Sequence, residues 1–541
     1  MPSAIDRKLT RRNLLKHSGL FSAAAVVSPL VGVAASLPEV ASVTQLTTRQ
    51  LTSKGTPTDN LFTQIGVRPL VNARGTYTII SGSQSLPEVK QAMFEASQYY
   101  VQMDEMMAAV GAEIAKLMGA PSAIVTCGCE AAIVLATIAC RVGMDPEFSQ
   151  SIPYKSIRDQ VIVPKYSRNQ YDFGVRMSGP EIIEVESDDE LISKISDRTA
   201  MIYLLSGPRA FQEPLSIRTV CAIAKEKNIP VFVDAAAEEP LVPNIHLAAG
   251  ATFVGYSGGK CMRGPQTAGV LLGPKDLCEA AFWNAAPHHN YGRALKVGKE
   301  EAMGMLAAVR MWYKRDHDAE QKQWLAWNQA IADALKGIPS LTTEIEMPSE
   351  DLSNRAPLLH VKWDAAQVGI TGTELIAALD AGTPRIFVMG GMGMRPDSMA
   401  SSFTIMPYMM QPGDAKIVAD AVSHHLRHPA TYAAPPHPSA GPDAQIAGTW
   451  NVAIQYRRGV GHQQLVLQQS GNTIAGDQKG EIFNAAITGT VHSSNVTLRS
   501  VMRANGSAIP FTFLGTVNGD IIKGDLKLGE YGSATFTASR A

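Results

Sequence analysis

Between about residue 60 and residue 300, short apolar runs alternate with longer stretches in which apolar residues recur every three or four positions. "SAIVTC", "QVIVPK", "EIIEVE", "AMIYLLS", "IPVFVDAA" and "ATFVGYS" are brief, mostly β-branched and followed by turn residues, which predicts strands. "PEVKQAMFEASQYY", "MAAVGAEIAKLMG", "EAAIVLATIACRVG" and "IRTVCAIAKEKN" carry helical spacing and lie before or between those strands. Strand and helix in alternation predict an α/β fold, a mostly parallel sheet sandwiched by helices. From about 300 to 428 a long helical run and then mixed strand and helix predict a smaller α/β domain. Beyond about 445 polar and apolar residues alternate through some eight short segments separated by S-G-N, N-G and N-G-D, which predicts an antiparallel β-barrel or sandwich.

Composition changes this picture little in the body and more at the ends. A hydrophobic fraction of 45%, a charged fraction of 18% and a net charge of −1 are those of a folding protein with no overall pull toward polyanions, so no nucleic-acid partner is expected. The N-terminus reads "LTRRNLLKHSGLFSAAAVVSPLVGVAAS": paired Arg11 and Arg12, a modest apolar segment, and Val33-Ala34-Ala35 as a cleavage site. This is the form of a twin-arginine export signal and predicts a periplasmic or otherwise exported protein. No later stretch approaches a membrane span. Five prolines at 429, 435, 436, 438 and 442 mark a semi-rigid linker. The organisation expected is a signal over 1–35, a linker over 36–60, a large α/β domain over 61–300, a small α/β domain over 301–428, a Pro-rich linker over 429–445 and a β domain over 446–541.

The six cysteines fall in apolar α/β segments, so disulfides are not expected, and Cys127-x-Cys129 has no second pair at zinc spacing, so no metal site is expected.

The chemistry concentrates in "SGGKCMRGPQTAG", Ser257 to Gly269. A P-loop would need G-x-x-x-x-G-K-[ST], yet Val254 stands where the first glycine belongs and Cys261 follows Lys260. "GGMGMRP" likewise fails as a dinucleotide fingerprint. A lysine that binds an aldehyde cofactor fits better. Asp234 ends one predicted buried strand and Lys260 follows the next, so both come to the carboxyl edge of one sheet, where ligands bind. A carboxylate there keeps a pyridine nitrogen protonated. The helix start in "SAIVTCGCEAAIVLA" offers free N–H groups at Gly128, Cys129 and Glu130 to a phosphate, with Ser257 able to add a hydroxyl.

From about 60 to 430 the chain resembles the selenocysteine synthase family of fold-type-I pyridoxal phosphate enzymes, most of all its branch similar to D-glucosaminate-6-phosphate ammonia lyase. The resemblance is carried by "GVRPLVNARGTYT", "IVTCGCEAA", "VFVDAAAEEP", "SGGKCMRGPQTAG" and "GRALKVGKEE". It implies pyridoxal 5'-phosphate as cofactor, Lys260 as the Schiff-base lysine, Asp234 as the pyridine partner, and Gly128 and Cys129 as phosphate-loop positions. It implies Arg293, Lys296 and Lys299 facing the cofactor or substrate phosphate across a subunit interface, hence a homodimer or higher homo-oligomer. Arg74 departs from the family pattern, where a small or hydroxyl residue is expected, and Cys127 replaces the usual serine. Arg263 and Gln266 face either the substrate or a neighbouring subunit, and Arg385 is either a substrate-carboxylate clamp or structural. His288-His289, the histidines at 424, 425 and 428, and the Met-rich stretch near 389–410 read as loop, helix end and packing.

These expectations amount to an enzyme acting on a small amino substrate, an amino acid or amino-sugar acid, by α,β-elimination to a 2-keto acid. A selenocysteine-synthase-type or other transferase is the alternative within the family. An exported binding protein without catalysis is the alternative outside it.

Overall fold

The computed structural model describes residues 60–154, 158–394, 398–430 and 442–541. The export signal, nearly all of the 36–60 linker and most of the Pro-rich linker lie outside the described residues.

Eight strands serve the first part of the chain: β1 (Leu70–Ala73), β2 (Ser122–Thr126), β3 (Gln160–Pro164), β4 (Glu181–Val185), β5 (Thr199–Leu205), β6 (Val231–Asp234), β7 (Phe253–Ser257) and β8 (Gly269–Gly273). Seven of them form one sheet in the order β2-β8-β7-β6-β5-β3-β4. β8 runs antiparallel to both of its neighbours, while the β3, β4, β5, β6 and β7 pairings are parallel. Period-two alternation divides the side chains between two cores. Val231 and Val233 pack with Val110, Ile114 and Val220 on one face. Phe232 packs with Ile133, Leu135 and Tyr203 on the other. That second face is covered by the helix Cys129–Val142, in which every residue but Glu130 is buried, which is why its sequence is apolar all round.

Two differences from the sequence reading concern where the first domain ends. β1 leaves the large sheet and pairs in parallel with β11 (Arg385–Met394), joining β9 (Thr342–Glu346), β10 (Leu358–Asp364) and β12 (Ser398–Ile405) in a sheet of order β1-β11-β12-β10-β9. The helical run after residue 299 divides in two. Its first half, Lys299–Trp312, buries Ala302, Met305, Leu306 and Val309 in the core of the large sheet, so the body extends past 300. The second half, His317–Ala334, packs Ile331 and Ala332 under the second sheet.

The joint between these helices is held by charge. Arg315 grips Glu320 through Nε and Nη2 at 2.8 Å each, and its Nη1 donates to the Cys261 carbonyl at 3.0 Å. Burial alone would raise the Glu320 carboxyl, but hydrogen bonds from His317 and Arg315 outweigh it and bring it from 4.5 down to about 2. A folded-state value below the unfolded one gives stability that is complete above about 4.5 and is lost as pH falls toward 2. Glu320→Gln is therefore expected to be less stable than the parent at pH 7 and to approach it near pH 2–3, as read from urea midpoints.

The remaining strands, β13 (Gly448–Gln455), β14 (Val460–Ser470), β15 (Thr473–Lys479), β16 (Asn484–His492), β17 (Asn495–Ala504), β18 (Ser507–Asn518), β19 (Ile521–Lys527) and β20 (Ser533–Arg540), close into an antiparallel barrel. Trp450, Ile454, Leu467, Ile487, Phe513 and Phe536 fill its interior, and the buried Gln478 is satisfied by Gln463 and Ser500. Eight strands give an interior narrow enough for side chains to fill, as these do. Among the described residues no helix is long and apolar enough to cross a membrane.

Candidate active site

A cavity of about 320 Å³ opens at the carboxyl ends of β6 and β7, within the range of small-molecule sites. Asp234, the last residue of β6, continues the Phe232 face and is buried beneath the start of the Cys129–Val142 helix. Its Oδ2 accepts from the Tyr203 hydroxyl at 2.9 Å, and its Oδ1 accepts from the Ala236 N–H at 3.1 Å and the Cys129 thiol at 3.5 Å. Burial, reinforced by the Asp234 charge, pushes both Cys129 and Tyr203 well above their ordinary values, so both stay protonated as donors.

Lys260 lies on the loop that turns back from β7 into β8. The loop is knotted by Gly258 N–H to the Ala268 carbonyl and Gly264 N–H to the Gly258 carbonyl, both 2.8 Å, and is tied to a distant segment by Ser83 N–H on the Gly259 carbonyl at 3.0 Å. Lys260 Nζ has no hydrogen-bond or ion-pair partner among the described residues and stands 5.8 Å from the centre of the Tyr171 ring across the cavity.

The anion end is the opening of the Cys129–Val142 helix. Ala132 N–H bonds back to the Gly128 carbonyl at 3.3 Å, which leaves the first-turn N–H groups of Cys129, Glu130 and Ala131 without intrahelical partners, as at any helix start. Gly269 makes this turn possible. A Cβ there would lie 2.6 Å from the Gly128 carbonyl carbon and 2.8 Å from the Cys129 nitrogen, so only glycine lets β8 pass. Ser257 and Gln266 also line the cavity.

Other predicted contacts lie elsewhere. Arg385 is a correction: on β11 its Nε bonds Asp380 at 2.5 Å and its guanidinium lies over Phe387, away from the cavity lining. Arg263 is engaged away from the cavity lining as well, its Nε donating to the Gln84 carbonyl at 3.0 Å. Arg293 and Lys296 are absent from the cavity wall of this chain, and Lys299 pairs with Glu300. His288 packs on Trp283 and approaches Asp104 at 3.3 Å, outside the cavity.

The cavity wall includes Cys127, at the phosphate-loop position noted in the sequence, and residues to which the motif reading gave no role: Thr76, Thr78, Tyr171 and Thr267. Tyr171 had a signal. It follows the end of β3 on the same carboxyl edge as Asp234 and Lys260, where binding residues of such sheets gather. Arg74 sits one residue after β1, its guanidinium 4.5 Å over the Tyr77 ring and without an acidic partner among the described residues.

The residues suit pyridoxal phosphate. A buried carboxylate held by three donors, an amine without a hydrogen-bond or ion-pair partner among the described residues, and a helix opening that can take an anion all line one cavity. This fold and site define a fold-type-I pyridoxal-phosphate enzyme. Within that class the chain is 29% identical over 343 residues to the D-glucosaminate-6-phosphate ammonia lyase of Salmonella typhimurium, covering 61% of this chain and 89% of the relative. It is 28% identical to the 5'-C-glycyluridine monooxygenase-decarboxylase of a Streptomyces species (60% and 83%). It is also 28% identical to the L-seryl-tRNA(Sec) selenium transferase of Carboxydothermus hydrogenoformans (36% and 37%). A solved D-glucosaminate-6-phosphate ammonia-lyase superposes with a TM-score of 0.59 at 26% identity, covering 68% of this chain and all of the other. No family model matches the chain.

Proposed function

We propose that this protein removes ammonia from a 2-amino acid or amino-sugar acid, giving a 2-keto acid. The observation that carries this reading is the Lys260–Asp234 pair in one cavity, in a chain similar along most of its body to an ammonia lyase. Pyridoxal phosphate, when bound, supplies an electron sink. Lys260 Nζ would anchor it and would serve as the base that takes the proton from substrate Cα. Asp234 holds a proton on the ring nitrogen, and the helix opening at Gly128 and Cys129 seats the phosphate. The substrate must carry a hydroxyl on Cβ: that hydroxyl leaves as water with the proton that Lys260 took from Cα, and a water returns to release ammonia, so no net oxidation occurs. Borohydride reduction and peptide mapping test the anchor, with a pyridoxyl adduct expected on Lys260. Release of keto acid from a panel of amino acids and sugar acids tests the reaction; an adduct without any such release would overturn the lyase reading.

Arg74 is the group we assign to the substrate carboxylate. Its neighbours Thr76 and Thr78 line the cavity, whereas Arg263 and Arg385 are engaged elsewhere. Arg74→Ala is expected to raise KM roughly 10- to 100-fold, the scale of a charge-assisted hydrogen bond. Arg385→Ala should leave KM within about two-fold; the reverse ranking would restore the clamp to Arg385.

A second copy of the chain is the partner we propose to cover the exposed apolar side chains of Leu61, Phe62, Ile65, Ile79, Tyr99 and Tyr100, the last of which is fully exposed. Light scattering at micromolar concentration should give twice the chain mass, and a monomer there would end this assignment. Export rests on Arg11, Arg12 and the segment after them. A reporter fused to residues 1–40 should be exported, and lysines at both positions should stop it.

A further inference from the structure

The barrel touches the body at one tight place that leads to the active site. The β17–β18 turn is Asn505-Gly506, and a Cβ on Gly506 would lie 2.2 Å from the Asn169 carbonyl oxygen and 2.6 Å from both its carbonyl carbon and its nitrogen. The described residues all belong to one compact unit, so this is a contact within one body.

Asn169 is a junction. Its Oδ1 accepts the Tyr171 N–H at 2.7 Å, and its Nδ2 donates to the Ser167 carbonyl at 2.8 Å and the Tyr203 hydroxyl at 3.2 Å. A backbone donor on one side and a backbone acceptor on the other fix which way the amide points. The Tyr203 oxygen therefore accepts a hydrogen bond from Asn169 and donates one to Asp234 Oδ2. The same amide holds Tyr171 opposite Lys260. The segment cannot slide to absorb a push. Tyr166 before it donates to the Leu215 carbonyl at 2.8 Å, and Asp172 after it is buried between Arg168 and Arg176.

We propose that the barrel is a positioning element of the catalytic site: its Gly506 turn seats Asn169, which aims the Tyr203 hydroxyl at Asp234 and holds Tyr171 across from Lys260. The inference rests on the reading of Asp234 as the ring partner.

Gly506→Ala in the full chain tests it, with Gly519→Ala as its control. Both glycines are left-handed turn residues of the barrel, at φ 74° and 59°, but around Gly519 nothing lies within 4 Å. Barrel strain is thus matched, and only one variant presses on Asn169. Gly506→Ala is expected to weaken pyridoxal phosphate binding about five-fold, the size of one hydrogen bond, and to shift the visible absorption maximum of the bound cofactor. Gly519→Ala should do neither. Asn169→Ala leaves the barrel untouched and should reproduce the shift, and adding Gly506→Ala to it should do less than in the parent, because the side-chain bonds through which the turn acts are already gone. Equal behaviour of the two glycine variants, or additive effects of Gly506→Ala and Asn169→Ala, would overturn the contact. A parent protein that binds no pyridoxal phosphate would instead overturn the reading of Asp234.

Discussion

Lys260→Ala abolishes turnover, with kcat expected to fall on the order of 10⁴-fold or more, because one side chain serves as anchor and as base at Cα. Fold stability is expected to stay close to that of the parent. Lys260 Nζ has no hydrogen-bond or ion-pair partner among the described residues, so its removal breaks no such bond. Phosphate-end binding should survive, since the helix opening does not depend on the lysine. The expected signature is a loss of the visible band and of the borohydride adduct while pyridoxal phosphate still binds weakly. Retention of the adduct on another lysine would sink the assignment.

Asp234 divides into two effects that two variants separate. Asp234→Asn keeps the shape and one accepting oxygen but turns its NH2 onto a donor on the other side, so the urea midpoint should fall by less than in Asp234→Ala. The neutral amide cannot hold a proton on the ring nitrogen, and kcat is expected to drop about 10²- to 10³-fold, the scale of losing one preorganised electrostatic partner. Asp234→Ala strands the Tyr203 hydroxyl and the Cys129 thiol in a buried pocket, at about 1–3 kcal/mol for an unsatisfied group, so stability should fall as well. If the two variants lose activity in step with stability, Asp234 is structural and the ring-partner role is wrong.

The residues that were legible in the sequence are those whose meaning is local. Buried parallel strands announce themselves as short β-branched runs, and Asp234 and Lys260 were readable because each closes or follows such a run on the same edge of the sheet. β1 and β8 were not readable: "LVNA" and "GVLLG" are short and bounded by turn residues, and β1 finds its partner only at Leu70↔Arg385, far along the chain. The arginines show the same limit. An arginine near a motif looks like a ligand clamp until its partner is known, and Arg263 finds its own in Gln84, many residues earlier. Asn169 carries no motif at all, since its role exists only once the Tyr203, Tyr171 and Gly506 neighbourhoods have been brought together.

The helix Cys129–Val142, buried on nearly every side, also bears on how the protein gives up its cofactor. Amides in such an element exchange with solvent only when the whole core opens, whereas loops at a cavity rim open at far lower free energy. The phosphate seat proposed at its opening is therefore expected to outlast the walls around it, and amide exchange slower along residues 132–142 than around Tyr171 and Lys260 is the result that checks it.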